Sequence, residues 1–430
     1  VVPITHSEEE ETTGIETPAD QGSVWRNRNF TLLWTGQSLS WIGTQITQLA
    51  IPLVAVELLD GSPLQVSMVL AAEFLPALLF GVFAGVWVDR LDRRTVLILT
   101  DIGRFLSLLA IPVLHWTGHL QFFYLYASVF LTGTLTVFYN AAYQALVPTV
   151  VAQEQLLEAN GKLEMSRSIA QGAGPASGGV LVQALTAPVA VVADAATYLA
   201  SAYAAFRMKV SAPRPERAEG GSFRTELAEG VRVVARHPIQ WRLAVSAAWD
   251  NFFGAGILAL FVYYTSRELD LSALLIGVVL ASGVVGAVAA SMLLRRFSVS
   301  AQPREMIIAG ALVRGLGCLL VPLAGGPTAL AVLVLCLGQV LSQAGLVTLI
   351  SSATTWRQMI TPNHLLGRVV ATSMSLLFGA IPLGAAGAGV LADATDTRTA
   401  LFVAAVGTLT SAAWMLGLRP APADAVDERP

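Results

Sequence analysis

The chain has 430 residues, 54% hydrophobic and 13% charged, with a formal net charge of −3 and a mean hydropathy of +0.64. That is too apolar for an ordinary soluble domain and points to a membrane, with a lipid bilayer as partner and no nucleic acid. The two cysteines, Cys318 and Cys336, fall inside apolar runs, so neither a disulfide framework nor a metal site is expected.

In chain order, residues 1–24 form an acidic, polar tail expected to be disordered; it lacks the basic start and apolar centre of a signal peptide, so the first span is expected to act as its own insertion signal. Apolar runs then recur, and a helix needs roughly 20 residues to cross the hydrocarbon core. Twelve spans are expected: 29–58, 66–89, 95–116, 120–147, 155–184 and 187–207, then 239–266, 273–295, 304–323, 327–352, 364–392 and 399–418. Alternating strand patterns are absent, which argues against an outer-membrane barrel. The expected architecture is an all-α integral membrane fold of two pseudo-symmetric six-helix bundles, 25–207 and 239–418. A cytoplasmic linker at 208–238, part of it a short amphipathic helix, joins them, and a tail follows at 419–430.

Basic residues set the expected orientation. Arg104 and Arg314 lie deep within spans, and Arg267 and Arg398 in the loops after spans seven and eleven; the rest gather in the tails and in or beside loops after even-numbered spans. The positive-inside rule places those loops and both termini in the cytoplasm, in an inner or plasma membrane.

At a constant offset of 210 residues the halves align at uncommon residue types. Leu59, Asp60, Ser62 and Leu64 fall on Leu269, Asp270, Ser272 and Leu274, while Arg94, Arg104 and Pro112 fall on Arg304, Arg314 and Pro322. Duplicated halves are the arrangement of alternating-access transporters, whose substrate site lies near mid-membrane.

The loop GVWVDRLDRRTVL, residues 85–97, is more than a basic anchor: it resembles the signature GxLaDRxGRkxxL of the major facilitator superfamily. Gly85, Asp89, Arg90, Arg93, Arg94 and Leu97 match; Trp87 departs, and Asp92 replaces the usual turn glycine, as in the branch resembling macrolide-efflux and enterobactin-export proteins. IAQGAGPASGGVL, residues 169–181, resembles the antiporter element GxxxGPxxGG, with Gly174, Pro175, Gly178 and Gly179 in place and Ala170 for the first glycine. Small residues there let helices approach closely, and the proline bends the helix. The resemblance covers roughly residues 25–418. It implies a cytoplasmic gate at Gly85, Asp89, Arg90, Arg93 and Arg94, in which Asp89 with the two arginines holds one state closed.

Charges inside the membrane are costly unless paired or wetted. Arg104 lies roughly 15 Å along the helix from Arg94, with Asp101 one turn earlier. Arg314 has Ala311 where that aspartate would be, so its counter-ion must come from another span. Glu73, roughly 24 Å along the helix from Asp89, and Asp250 read as isolated acids. The proton-coupling candidates are therefore Glu73, Asp250, Asp101 and Arg104, with Asp194, Glu57 and Asp393 weaker. Polar and aromatic stripes place the substrate cavity at Gln37, Trp41 and Gln45, at Tyr139, Asn140 and Tyr143, at Trp249, Asp250 and Phe253, and at Gln339 and Gln343. Amides among aromatic rings suit a bulky amphipathic ligand.

The expected function is secondary active export of hydrophobic or amphipathic small molecules, such as drugs, natural products or siderophores, by proton antiport with alternating access. The proton gradient is the energy source, no cofactor is expected, and the protein is expected to be a monomer. The alternatives are a passive facilitator or importer, and a transporter-like sensor or assembly partner. The sequence has no GxxxxGK[ST] phosphate loop and no HExxH, which disfavours ATP-driven pumping and an enzyme.

Overall fold

The computed structural model describes residues 23–88, 90–209, 231–297 and 302–416. The expectations for the two tails, for Asp89 and for most of the linker lie outside these residues; residues 231–236 are helical.

The first six helices are α1 (Arg28–Leu53), α2 (Pro63–Val88), α3 (Arg93–Trp116), α4 (Phe122–Val150), α5 (Leu156–Leu185) and α6 (Ala187–Arg207). The second six are α7 (Pro238–Tyr263), α8 (Ala273–Phe297), α9 (Pro303–Leu323), α10 (Thr328–Ile360), α11 (Asn363–Ala394) and α12 (Thr397–Thr410), the last followed by a turn at Ala413–Leu416. Local chemistry sets several starts. Asn27 caps α1 by accepting from the Asn29 and Phe30 amides, and Ser62 and Gln65 form a reciprocal capping box at α2. Asp92 caps α3 by accepting from the Thr95 amide at 2.9 Å, with φ −68°, so this loop needs no glycine there.

Eleven of the described helices are long and apolar enough to cross a membrane. The twelfth expected span, α5, is in place, but Glu158, Lys162, Glu164 and Arg167 make its first half polar. Span ten runs further than expected, to Ile360, because its last turns bury Trp356 against Ile307 of α9 and Leu243 of α7.

The repeat is visible in backbone geometry. Both α1 and α7 end in a π-helical turn, Val54–Leu58 and Tyr264–Glu268, after which Asp60 and Asp270 take left-handed conformations with φ 49° and 51°. Aspartate tolerates that region better than most residues. Arg94 Nε donates to Ala205 O at 3.0 Å and Arg304 Nε to Met415 O at 3.0 Å, so each arginine ties the third helix of its half to the last turn of the sixth. Within each half the pattern is the same: α1 packs on α5 and α6, α3 on α4 and α6, and α2 on α4, as α7 packs on α11 and α12, α9 on α10 and α12, and α8 on α10. The halves meet through α2 with α11 and α5 with α8. The fold is therefore an all-α, multi-pass membrane fold of two pseudo-symmetric bundles. We call the face carrying the α2–α3 and α8–α9 loops the basic face.

Candidate functional site

Between the halves lies a cavity of about 2500 Å³, lined mainly by α1, α2, α4, α5, α7, α8, α10 and α11, with Arg104 and Leu108 of α3, Tyr198 of α6 and Arg314 of α9 also reaching it. Its lining reaches Gly85, Glu164, Arg167, Arg295 and Gly367 at the basic ends of their helices. A side chain added at Gly81, Gly85 or Gly367 would meet nothing within 4 Å, so the α2–α11 seam is splayed there. Toward the other face the same seam is shut. Asp393 at the end of α11 accepts from the Leu64 amide at 3.0 Å and the Ser62 hydroxyl at 3.1 Å, and Arg267 pairs with Asp60. On the second seam Gly179 of α5 lies against Gly277 of α8, where an added Cβ would sit 3.1 Å from the Gly277 Cα. Among the described residues, the cavity thus opens to the basic face.

Eight of the residues expected in the wall are there: Gln37, Trp41, Gln45, Tyr139, Asn140, Tyr143, Gln339 and Gln343. The Tyr139 hydroxyl donates to Gln37 Oε1 at 2.6 Å, and its ring stacks on Tyr143 at 6.2 Å. Glu73 also lines the cavity, and among the described residues it has no hydrogen-bond or ion-pair partner. Trp249, Asp250 and Phe253 are not in the wall: the Trp249 indole donates to Gly407 O at 3.0 Å and the Phe253 ring packs on Gly407, both toward α12. The face of α7 that lines the cavity carries Asn251, Gly254 and Leu258 instead. Glu164, Arg167 and Gln171 of α5 and Ser342 of α10 were also missed; the polar first half of α5 was the available signal.

The buried arginines differ from expectation in one half. Arg104 pairs with Asp101 as the spacing suggests, and its guanidinium lies 4.0 Å and 4.3 Å from the ring centroids of Tyr139 and Tyr198. Arg314 takes its counter-ion from α7: its Nε lies 2.9 Å from Asp250 Oδ1. Asp250 is therefore not an isolated acid, and a buried Arg–Asp pair stands in each half.

A family profile described as "Transmembrane secretion effector" matches residues 22–430. The chain belongs to this family of the major facilitator superfamily. Among relatives, the "Macrolide efflux protein A" of Streptococcus pyogenes is 27% identical over 57% of this chain and 58% of its own length, so that match spans little more than half of the relative. The "Multidrug efflux pump Tap" of Mycolicibacterium fortuitum is 29% identical over 82% of this chain and 86% of its own. Two solved structures share the fold. A bacterial homologue of the lysosomal transporter Spinster, in an inward-facing, unoccupied conformation, gives a TM-score of 0.71 at 15% identity, covering 90% of this chain and 96% of that one. A bacterial homologue of ferroportin in an inward-facing state gives 0.70 at 19%, covering 92% and 98%. The fold is shared with these membrane transporters, and the family is the one described as a transmembrane secretion effector.

The superfamily's loop signature is placed as follows. Gly85 stands at the cavity mouth and Arg90 is exposed; Arg93 Nη1 donates to Ala145 O at the end of α4 at 3.0 Å, and Arg94 donates to Ala205 O and Phe206 O of α6. These bonds stay inside the first bundle. In the antiporter element, Gly174 and Gly178 pack on Gln45 and Ile46 of α1, Pro175 touches the cavity, and Gly179 meets the other half.

Proposed function

We propose that this transporter is a proton-coupled exporter of bulky hydrophobic or amphipathic molecules, working by alternating access with its basic face in the cytoplasm. One observation carries the reading: a large cavity with amide and aromatic walls, open at the basic face and shut at the other by direct contact between the halves. A substrate entering from the cytoplasm meets Gln37, Trp41, Gln45, Asn140, Gln339 and Gln343, which offer both apolar area and hydrogen bonds. The efflux functions named for two relatives support the direction.

Glu73 is the acid placed to exchange a proton for substrate, since it stands on the wall without a counter-ion. Ionised, it favours an occupied, wetted cavity; protonated from the outer side, it favours release and return, because a ligand or proton shifts the equilibrium only by its different affinity for the two states. Closure of the basic face would bring the signature loop with Asp89, Arg93 and Arg94 against the other half and form the gate. Asp101 with Arg104, and Asp250 with Arg314, hold charge balance in the walls.

The test is transport by the full chain in liposomes, with ethidium and erythromycin as probes. An imposed pH gradient should drive uphill movement that a protonophore abolishes, and Glu73→Gln should lose the uphill component. Movement indifferent to the gradient would leave a passive facilitator, and binding without movement would leave a sensor.

A further inference from the structure

The polar centre of the first bundle contains more acid than base. Arg104 is occupied: Asp101 pairs with it, and its guanidinium lies over the rings of Tyr139 and Tyr198. One turn before Tyr198, α6 carries a second carboxyl, Asp194, which is 0% exposed. Its Oδ1 accepts from the Thr197 hydroxyl at 3.2 Å, and among the described residues its Oδ2 has no hydrogen-bond partner within 3.5 Å. The site is built to hold it: on α1, opposite, a side chain at Gly43 would collide with Asp194 Oδ1.

Among the described residues the surroundings supply no second cation. From α3 come Asp101 and Arg104; from α1 come Gly43, Thr44 and Thr47, none of which ionises; on α6 itself the titratable neighbour is Tyr198, and α2 contributes a further acid, Glu73. The ionisable residues of α5, the third helix packed on α6, lie in its first half toward the basic face, whereas Asp194 is near the opposite end of α6. Two buried carboxyls thus stand near one guanidinium, and Asp101 is the one paired with it. A carboxylate without a counter-charge in such a medium is so costly that it takes up a proton instead. The second bundle lacks this surplus, because Asp250 and Arg314 balance and the position matching Asp194 is Ala404.

We propose that Asp194 is a second proton-carrying group, distinct from Glu73: in the state open to the basic face it is a neutral acid beside an Arg104 held by Asp101. Its carrying role rests on the proton-coupled reading above; its protonation does not. The way out is short. The Thr47 hydroxyl, which faces Asp194, also lines the cavity, as do Thr44 and Tyr198. On release the Asp194 O–H bond breaks, the proton passes by these hydroxyls to solvent in the cavity, and the new carboxylate draws on Arg104, whose Nε has no partner. No other bond changes.

Infrared spectroscopy of the full chain in liposomes tests this without a substrate. At neutral pH the wild type should show the C=O stretch of a protonated buried carboxyl, with a component that Asp194→Asn lacks. Asp101→Asn should also abolish that component although Asp194 is still present, because one acid and one base then remain and Asp194 ionises against Arg104. A wild type without the band overturns the proposal, as does an Asp194→Asn spectrum that loses only ionised-carboxylate signal, or an Asp101→Asn protein that keeps the component. In ethidium transport, Asp194→Asn should retain exchange between equal concentrations and lose uphill movement driven by the pH gradient; unimpaired uphill movement would overturn the carrying role. If the wild type ignores the gradient yet shows the Asp194 component, the coupled reading fails and the protonated acid stands.

Discussion

Asp250 and Arg314 join α7 to α9 deep in the second bundle, and the pair is nearly closed to solvent. Removing one partner of a buried ion pair leaves an uncompensated charge, which typically costs about 3–5 kcal/mol, whereas replacing both is often close to neutral. Asp250→Asn should therefore lower thermal stability in detergent sharply, and Asp250→Asn with Arg314→Gln should recover most of the loss. A double variant no more stable than the single one would show that Arg314 finds its charge balance elsewhere. The same pair explains the displaced stripe on α7: with Asp250 turned toward α9, its neighbours Trp249 and Phe253 are carried round to α12, and Asn251 comes to the cavity.

Between elements, the α5–α8 seam depends on glycine on both sides. Gly179 and Gly277 bring the helix backbones into contact, and a Cβ at Gly179 would stand 2.7 Å from Ala273 O. Small residues permit this approach because a membrane offers little hydrophobic force to hold helices together and close packing must do it. Overpacking costs about 1–3 kcal/mol, and a coupling of that size shifts a two-state equilibrium about 5–150-fold. Gly179→Val should wedge the seam, depopulate the state open to the basic face and reduce transport. Cysteine cross-linking between α5 and α8 near the opposite face should report the wedge, and cross-linking at the wild-type rate would count against it. Asp92, which replaces the signature's turn glycine, shows the reverse: at a helix N-cap a side-chain acceptor is worth more than conformational freedom.

For the whole molecule, the closed face is fastened on one side of the pseudo-twofold axis. Asp393 accepts from the Leu64 amide and the Ser62 hydroxyl at the start of α2, where unpaired amides and the helix dipole favour an anion. The Arg267–Asp60 pair lies beside it. The pseudo-symmetric positions are Gln183 for Asp393, and Glu57 and Asp270 for Arg267 and Asp60, two acids that cannot form the pair. Losing a cap of this kind costs about 0.5–2 kcal/mol. Asp393→Ala should broaden the distance distribution between spin labels on the outer ends of α2 and α11 toward larger separations; an unchanged distribution would mean that the glycine seams alone keep this face shut.

By itself, the sequence determined what a single helix can state: where apolar runs begin and end, the 210-residue repeat, and the Asp101–Arg104 pair, whose partners sit one turn apart on one helix. Helix length and i, i+3 neighbours are local quantities, so these readings agree with the structure to within a few residues except at the ends of α10 and α12. Tertiary structure alone decided which acid faces Arg314, which side of α7 lines the cavity, and that Asp194 lies beside an arginine already taken. The reason is physical. In a soluble helix the polar face is the face turned to water, but in a membrane bundle a polar stripe is satisfied equally by a cavity or by a neighbouring helix, and only the packing of the other helices chooses between them.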